Sequence, residues 1–304
     1  MEKEELYKVI SNYLPKNKEI TNKTYATKLN TLMKSGIVIG NYNDTVLYLQ
    51  GKYKEKTYKT FITSIIVYLK AMKKDASLYS AELKRVNDKI QKQEEKNEAT
   101  PAEKANMVSR KDIYKLISGL SEALSITAPT ENNYKYFDTY QRYLVLNLYY
   151  LIQPLRNDYV DLEVYETSFG VFEDTEKNYI YLSEKKLVLN RYKTSRTYGV
   201  RNTIELPEEL VNIVRKWMEI RQVIYPELAG KKVLLLTKNL KGMMQVNLTQ
   251  YLNRIFGKKV SSTMLRKSYL SEKYPVTSSV AEMASDARAM QHSVAVQQTI
   301  YRKK

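Results

Sequence analysis

Apolar residues recur at helical spacing through most of the chain. Tyr25, Leu29, Leu32 and Met33 share one helical face, and Phe61, Ile62, Ile65, Ile66 and Leu69 share another. No strand-like alternation of comparable length interrupts them, so the first third predicts a compact bundle of short amphipathic helices. Between Ala81 and Asn106 charges crowd together and Pro101 intervenes. That composition predicts an exposed helix running into a linker, with a domain boundary near Thr100.

Beyond the boundary, Ile113, Leu116, Ile117, Leu120 and Leu124 line one helical face. A further helix, about Asn133 to Gln153, is apolar nearly all round from Tyr143 and should be central to its domain. After Arg156 the period changes. The runs YIYL, KLVLN and TIEL are short, apolar and separated by charged turns, which predicts a small antiparallel sheet. Helices resume at Pro207, suited to a first helical position, with Leu210, Val211, Val214, Trp217 and Met218 on the buried face. A short apolar stretch, Val233 to Leu236, precedes helices near Asn247 to Phe256, Ser262 to Lys273, Ser279 to Met290 and a last one ending at the C-terminus. The expected fold class is therefore mainly α with a small antiparallel β-sheet, as a helical domain (1–100) followed by an α+β domain (101–304).

Composition narrows the chemistry. The 304 residues include no cysteine and one histidine, which excludes disulfides, thiolate nucleophiles, iron–sulfur clusters and multi-histidine metal sites. The longest apolar stretch, Tyr143 to Ile152, is about half of the ~20 residues needed to span a bilayer, and the acidic start MEKEEL is unlike a signal peptide. The expectation is an intracellular protein with no membrane association. Fifty Lys and Arg against 33 Asp and Glu give a formal charge of +17, which points to a polyanionic partner, most simply nucleic acid. The segment GKYKEKTYKTF, where Lys and Tyr interleave, fits either a DNA-facing helix or a solvated face with Tyr rings packed beneath. There is no Walker motif, dinucleotide-binding glycine loop or carboxylate cluster suited to Mg²⁺.

The C-terminal stretch TMLRKSYLSEKYPVTSSVAEMASDARAMQHSVAVQQTIYRKK holds the single histidine, His292, nine residues before Tyr301, and Arg266 in an apolar helical context. This stretch resembles the C-terminal signature of the tyrosine recombinase (phage integrase) superfamily. Upstream, LIQPLRNDYVDLEV is similar to the family's first arginine motif and gives Arg156, and RYKTSRTYGVRNTIELP is similar to its lysine-bearing hairpin, with Lys193 in the lysine position. Lys185, Lys186, Arg191 and Arg196 lie close enough to take that position if the register shifts. The order Arg, Lys, Arg, His, Tyr is thus kept across Arg156, Lys193, Arg266, His292 and Tyr301. The details PLRNDY, LRKSYLSEKY and MQHSVAVQQTIY look closest to integrase-like recombinases of large DNA viruses, virophages and related mobile elements, and the similarity covers nearly the whole chain.

The resemblance implies an N-terminal core-binding domain and a C-terminal catalytic domain that clamp double-stranded DNA, assembly of a homotetramer on two DNA sites, and no metal or nucleotide cofactor. Arg156 and Arg266 would stabilise charge on a scissile phosphate. Lys193 would protonate the leaving 5′-oxygen, His292 would hydrogen-bond the phosphate or help deprotonate Tyr301, and Tyr301 would form a 3′-phosphotyrosine. Two positions depart from the pattern. Thr263 stands three residues before the second arginine, where His or Lys is usual, and is kept as an accessory residue. Tyr159 stands where an acidic residue is usual, with Asp158 one position earlier. A type IB DNA topoisomerase, or a noncatalytic DNA-binding protein retaining the fold, would fit the same residues.

Overall fold

In the computed structural model, which describes residues 2–96, 98–170, 174–195, 201–274 and 280–303, the chain divides into two compact units, Met1–Lys96 and Asn97–Lys304. The first unit contains α1 (Lys3–Tyr13), α2 (Glu19–Lys34), α3 (Tyr42–Lys52), α4 (Glu55–Ala71) and α5 (Ser77–Glu95). At α1 and α3, side chains satisfy free amides of the first turn. Glu2 and Glu5 form a reciprocal capping box on α1, and Asn41 accepts from the Asp44 amide on α3. The apolar faces of α1, α2 and α4 meet in a core that includes Leu6, Ile10, Leu29, Phe61, Ile62 and Ile65.

The charged stretch after Ala81 is less exposed than its composition suggests. Along α5, Tyr79, Glu82, Val86 and Ile90 are buried against the rest of the unit, because residues three and four apart keep one stripe inward while the charges occupy the other faces. Glu82 is tolerated inside because it is fully bonded: it accepts from both guanidinium arms of Arg85 (2.6 and 2.8 Å), from the Tyr58 hydroxyl (2.5 Å) and from Gln50 (3.3 Å). Tyr58, one of the tyrosines interleaved with lysines, therefore packs beneath its helix rather than facing solvent.

The second unit begins with α6 (Pro101–Asn106), started by a capping box between Thr100 and Glu103, and continues with α7 (Arg110–Ser125) and α8 (Tyr134–Tyr150). Helix α8 is largely buried, as its apolar composition predicts, and is capped by Asn133. A short 3-10 turn (Asn157–Asp161) leads into strands β1 (Leu162–Tyr165), β2 (Asn178–Tyr181), β3 (Lys186–Leu189) and β4 (Asn202–Glu205), hydrogen-bonded in chain order. The sheet is mixed rather than wholly antiparallel. Strands β2, β3 and β4 are antiparallel, but LEVY, not expected as a strand, forms β1 and pairs parallel to β2 in the register Leu162↔Asn178. The stretch between β1 and β2 has about the dozen residues a parallel crossover requires.

Helix α9 (Glu208–Ile224) follows, with Pro207 as its cap residue rather than its first helical residue. Trp217 lies fully inside, stacked on Tyr140 at 5.9 Å and donating its indole N–H to the Leu234 carbonyl at 2.8 Å. The chain then forms α10 (Gln245–Phe256), α11 (Ser262–Lys273), α12 (Val280–Ala289) and one α-turn, α13 (Val294–Val296). The expected last helix does not continue as an α-helix. It widens into a π-turn over Gln297–Tyr301, where the Arg302 amide bonds to the carbonyl five residues back, Gln297, at 2.8 Å. Leu270, Tyr274, Met283, Met290 and Tyr301 make a small apolar cluster of their own. Among the described residues no helix is long and apolar enough to cross a membrane.

Candidate active site

Four of the six residues singled out from sequence converge in the second unit, from segments up to 145 positions apart. Arg156 leaves the end of α8 in an extended conformation, and its guanidinium donates to the Tyr301 hydroxyl at 3.3 Å and toward the Gln291 carbonyl at 3.5 Å. Arg266 projects inward from α11 and is wholly buried. It donates to the Pro154 carbonyl at 2.9 Å and the Met290 carbonyl at 2.7 Å, while its Nε has no protein partner. Its guanidinium carbon lies 4.7 Å from the centre of the Tyr301 ring. The His292 imidazole stacks on the same ring at 4.9 Å and 29°.

The electrostatics follow from this packing. Burial alone would push the Tyr301 phenol up, but the charges of Arg266 and Arg156 and their hydrogen bonds outweigh it and hold the phenol below its ordinary value. Arg266 is lowered to about 10, chiefly by burial, with Tyr301 opposing and Arg156 adding to the shift. His292 is pushed down to about 4, first by burial and then by the charge of Arg266. It is therefore neutral at physiological pH. Nδ1 faces the Ser293 carbonyl at 3.1 Å and so carries the proton, which leaves Nε2, buried and without a protein partner, as a lone-pair acceptor.

The turn after α12 organises the site. Met290 and Gln291 present consecutive carbonyls, the first to Arg266 and the second to Arg156 and, at 2.9 Å, to the Thr194 hydroxyl. Gln291 adopts a left-handed φ of 59° to do this, a conformation costly for a residue with a Cβ and typical of functional turns. Its side-chain Nε2 and both polar atoms of Gln297 are buried without a protein partner. Two guanidiniums, a lone-pair imidazole, a phenol and uncommitted amides form a site suited to an anion with tetrahedral oxygens.

Lys193 and Thr263 are exposed, whereas Arg266, His292 and Tyr301 are buried. Lys193 is exposed, in the connection between β3 and β4, and the neighbouring Thr194 ties that connection to Gln291. Residues 196–200 of the lysine-bearing hairpin, including Arg196, lie outside the described residues. Among the basic residues near Lys193, Lys185 pairs with Glu208 and Arg191 with Glu176. Thr263 is exposed on the first turn of α11. Tyr159 is fully buried, its hydroxyl donating to the Leu148 carbonyl at 3.0 Å and accepting from the Leu155 amide at 3.3 Å, so it braces the backbone next to Arg156 instead of reaching the site.

The residues that sequence reasoning missed are Thr194, Gln291 and Asp286. The first two act through a hydroxyl-to-carbonyl bond and a turn conformation, neither of which has a periodic signal. Asp286 is a buried carboxylate whose partners are scattered in sequence. Among the described residues no group of three His, Cys, Asp or Glu is placed to hold a metal ion.

No family model and no curated protein matches the chain. Among solved structures, a crystal structure of XerA recombinase aligns over 99% of this chain and 94% of that one, with 12% identity and a TM-score of 0.43.

Proposed function

We propose that the protein is a tyrosine-type site-specific DNA recombinase or integrase that cleaves and rejoins double-stranded DNA through a phosphotyrosine at Tyr301. One observation carries this reading: a single phenol is bonded to Arg156, lies under Arg266 and stacks on His292, while both guanidiniums are fixed by backbone carbonyls. Guanidiniums held in this way are preorganised for charge that develops on the two nonbridging oxygens of a phosphodiester. They supply that stabilisation without calling on a metal.

In this reading the Tyr301 oxygen attacks phosphorus and a new O–P bond forms as the bond to the 5′-oxygen breaks. The phenol proton leaves to water, its loss favoured by the charges of Arg266 and Arg156, with the Nε2 lone pair of His292 assisting. The leaving 5′-oxygen takes a proton from Lys193 on the β3–β4 connection. The phosphotyrosine keeps the energy of the broken diester, so a 5′-hydroxyl from a second strand reverses the steps without ATP. Strand exchange between two sites calls for a homotetramer, and the excess of 17 positive charges would hold the duplexes. The protein would work wherever its target DNA resides inside the cell.

A nicked duplex from which the cleaved end diffuses away tests this directly. The expected result is a covalent protein–DNA adduct with the wild type and none with Tyr301→Phe, both binding DNA equally. No adduct under any binding condition would overturn the enzymatic reading. Plasmid relaxation by a monomer without joining of two sites would favour a type IB topoisomerase instead.

A further inference from the structure

The carboxylate of Asp286, on α12 and 3% exposed, joins the segments that carry the buried site. Its Oδ2 accepts from the hydroxyls of Tyr274 (2.8 Å) and Tyr269 (3.0 Å) and pairs with Lys273 (2.7 Å). Its Oδ1 accepts from Gln153 at 3.3 Å. Tyr269 and Lys273 lie on α11, the helix of Arg266, and Tyr269 stands one turn after that arginine. Gln153 is three residues before Arg156. Asp286 itself begins the last turn of α12, and the Met290 amide bonds to its carbonyl at 2.8 Å, just before the two carbonyls that hold the arginines. One buried anion thus ties the Arg266 helix, the Arg156 segment and the approach to His292.

Such a group is expensive unless all its oxygens are used. Burial would raise the Asp286 carboxyl, but Lys273 and the two tyrosines outweigh this and keep it ionised. A hydrophobic contact would join the helices at lower cost, but only an anion with several acceptor directions fixes three segments at defined angles.

We propose that Asp286 is a positioning residue: it sets the mutual placement of Arg156, Arg266 and His292 by anchoring their three segments to one carboxylate. Its proposed role in catalysis rests on the recombinase reading, but the placement itself does not. His292 is the one histidine in the chain, so NMR titration of its imidazole reports on the site without DNA. The charged and titratable groups acting on that ring are Arg266, Arg156 and Asp286, with Tyr301 stacked on it. Burial is the largest cause of its low value, and the Asp286 charge acts in the opposite direction and ranks below it.

Asp286→Asn therefore separates two outcomes by sign. If Asp286 positions the turn, its loss admits water to the ring and the imidazole titrates higher, from about 4 toward 6.5. If Asp286 is only a nearby charge, the imidazole titrates lower or stays put, and the proposal is overturned. Adduct formation should also fall by about 100-fold, the usual effect of small misplacements, with DNA affinity unchanged, and Asp286→Glu should restore part of it. Should Asp286→Asn fail to fold, Tyr274→Phe, which removes one donor and leaves the carboxylate, should shift the imidazole in the same upward direction. An upward shift in a protein whose wild type forms no adduct would keep this inference and discard the recombinase reading.

Discussion

The Arg266 guanidinium faces the ring of Tyr301 at 4.7 Å while its two Nη atoms are spent on the carbonyls of Pro154 and Met290. One side chain therefore holds two backbone segments and acts on the phenol. Arg266→Ala should leave both carbonyls unsatisfied and destabilise the C-terminal unit by ~2–6 kcal/mol, at about 1–3 kcal/mol for each buried group. Arg266→Lys keeps the charge but not the fork, so it should recover part of the stability and little of the cleavage rate. Denaturant titration and adduct kinetics on the same variants measure the two effects.

The buried histidine gives stability a definite pH dependence. Its folded value, about 4, lies below the ordinary 6.5, so between these pH values the unfolded chain binds a proton that the folded one refuses. Stability contributed by the neutral imidazole is intact above about pH 6.5 and is lost as pH falls toward 4, by about 3 kcal/mol at one pKa unit per 1.36 kcal/mol. His292→Asn should flatten this slope. Equal slopes for the two proteins between pH 4 and 6.5 would refute it.

Tyr301 shows the opposite case, an acid held below its ordinary value by Arg266 and Arg156 against the effect of burial. If its ionisation limits adduct formation, the rate should rise with pH and level off below pH 10. Arg156→Ala should move that limb upward, since burial would be less opposed. A pH–rate profile on the nicked substrate measures both limbs.

Legibility in the sequence depends on whether the signal is local. Helix faces such as Phe61 to Leu69, the Trp217 core contact and the spacing of His292 and Tyr301 can be read along the chain because each repeats or counts within a few turns. Strand β1 escapes such a reading because LEVY is too short to show alternation and owes its state to pairing with β2. The buried stripe of α5 is hidden by its charge, because Glu82 looks solvated until Arg85, Tyr58 and Gln50 are seen around it. The left-handed turn at Gln291 and the Asp286 anchor depend on partners as far as 135 and 133 residues away. Convergence of that kind has no periodicity to detect.

Tyr159 illustrates how a departure from a motif can be structural. Its hydroxyl bonds to the Leu148 carbonyl and the Leu155 amide, and its ring meets Tyr149 edge-on at 5.1 Å. Tyr159→Phe keeps the ring and removes both bonds, so the buried amide and carbonyl lose a partner at a cost of about 1–3 kcal/mol each. Adduct formation should fall as well, because Leu155 precedes Arg156. A lowered unfolding temperature with unchanged adduct kinetics would show that the brace does not reach the arginine.

The proposed cleavage also calls for a proton on the leaving group. Lys193 is exposed, and its neighbour Thr194 anchors the same connection to the Gln291 carbonyl at 2.9 Å, one residue from His292. An exposed lysine on that connection can meet the leaving 5′-oxygen of a bound duplex, whereas the two arginines are held by backbone carbonyls to face the nonbridging oxygens. Lys193→Ala should therefore slow cleavage of an ordinary phosphodiester by about 10²–10⁴-fold, the range for a general acid. A substrate with sulfur in place of the bridging 5′-oxygen leaves as a thiolate and needs no proton, so on it the variant should match the wild type. Thr194→Val should give a smaller loss with the same selective recovery, because it loosens the tether and keeps the acid. An equal deficit on both substrates would assign Lys193 to phosphate binding rather than proton transfer.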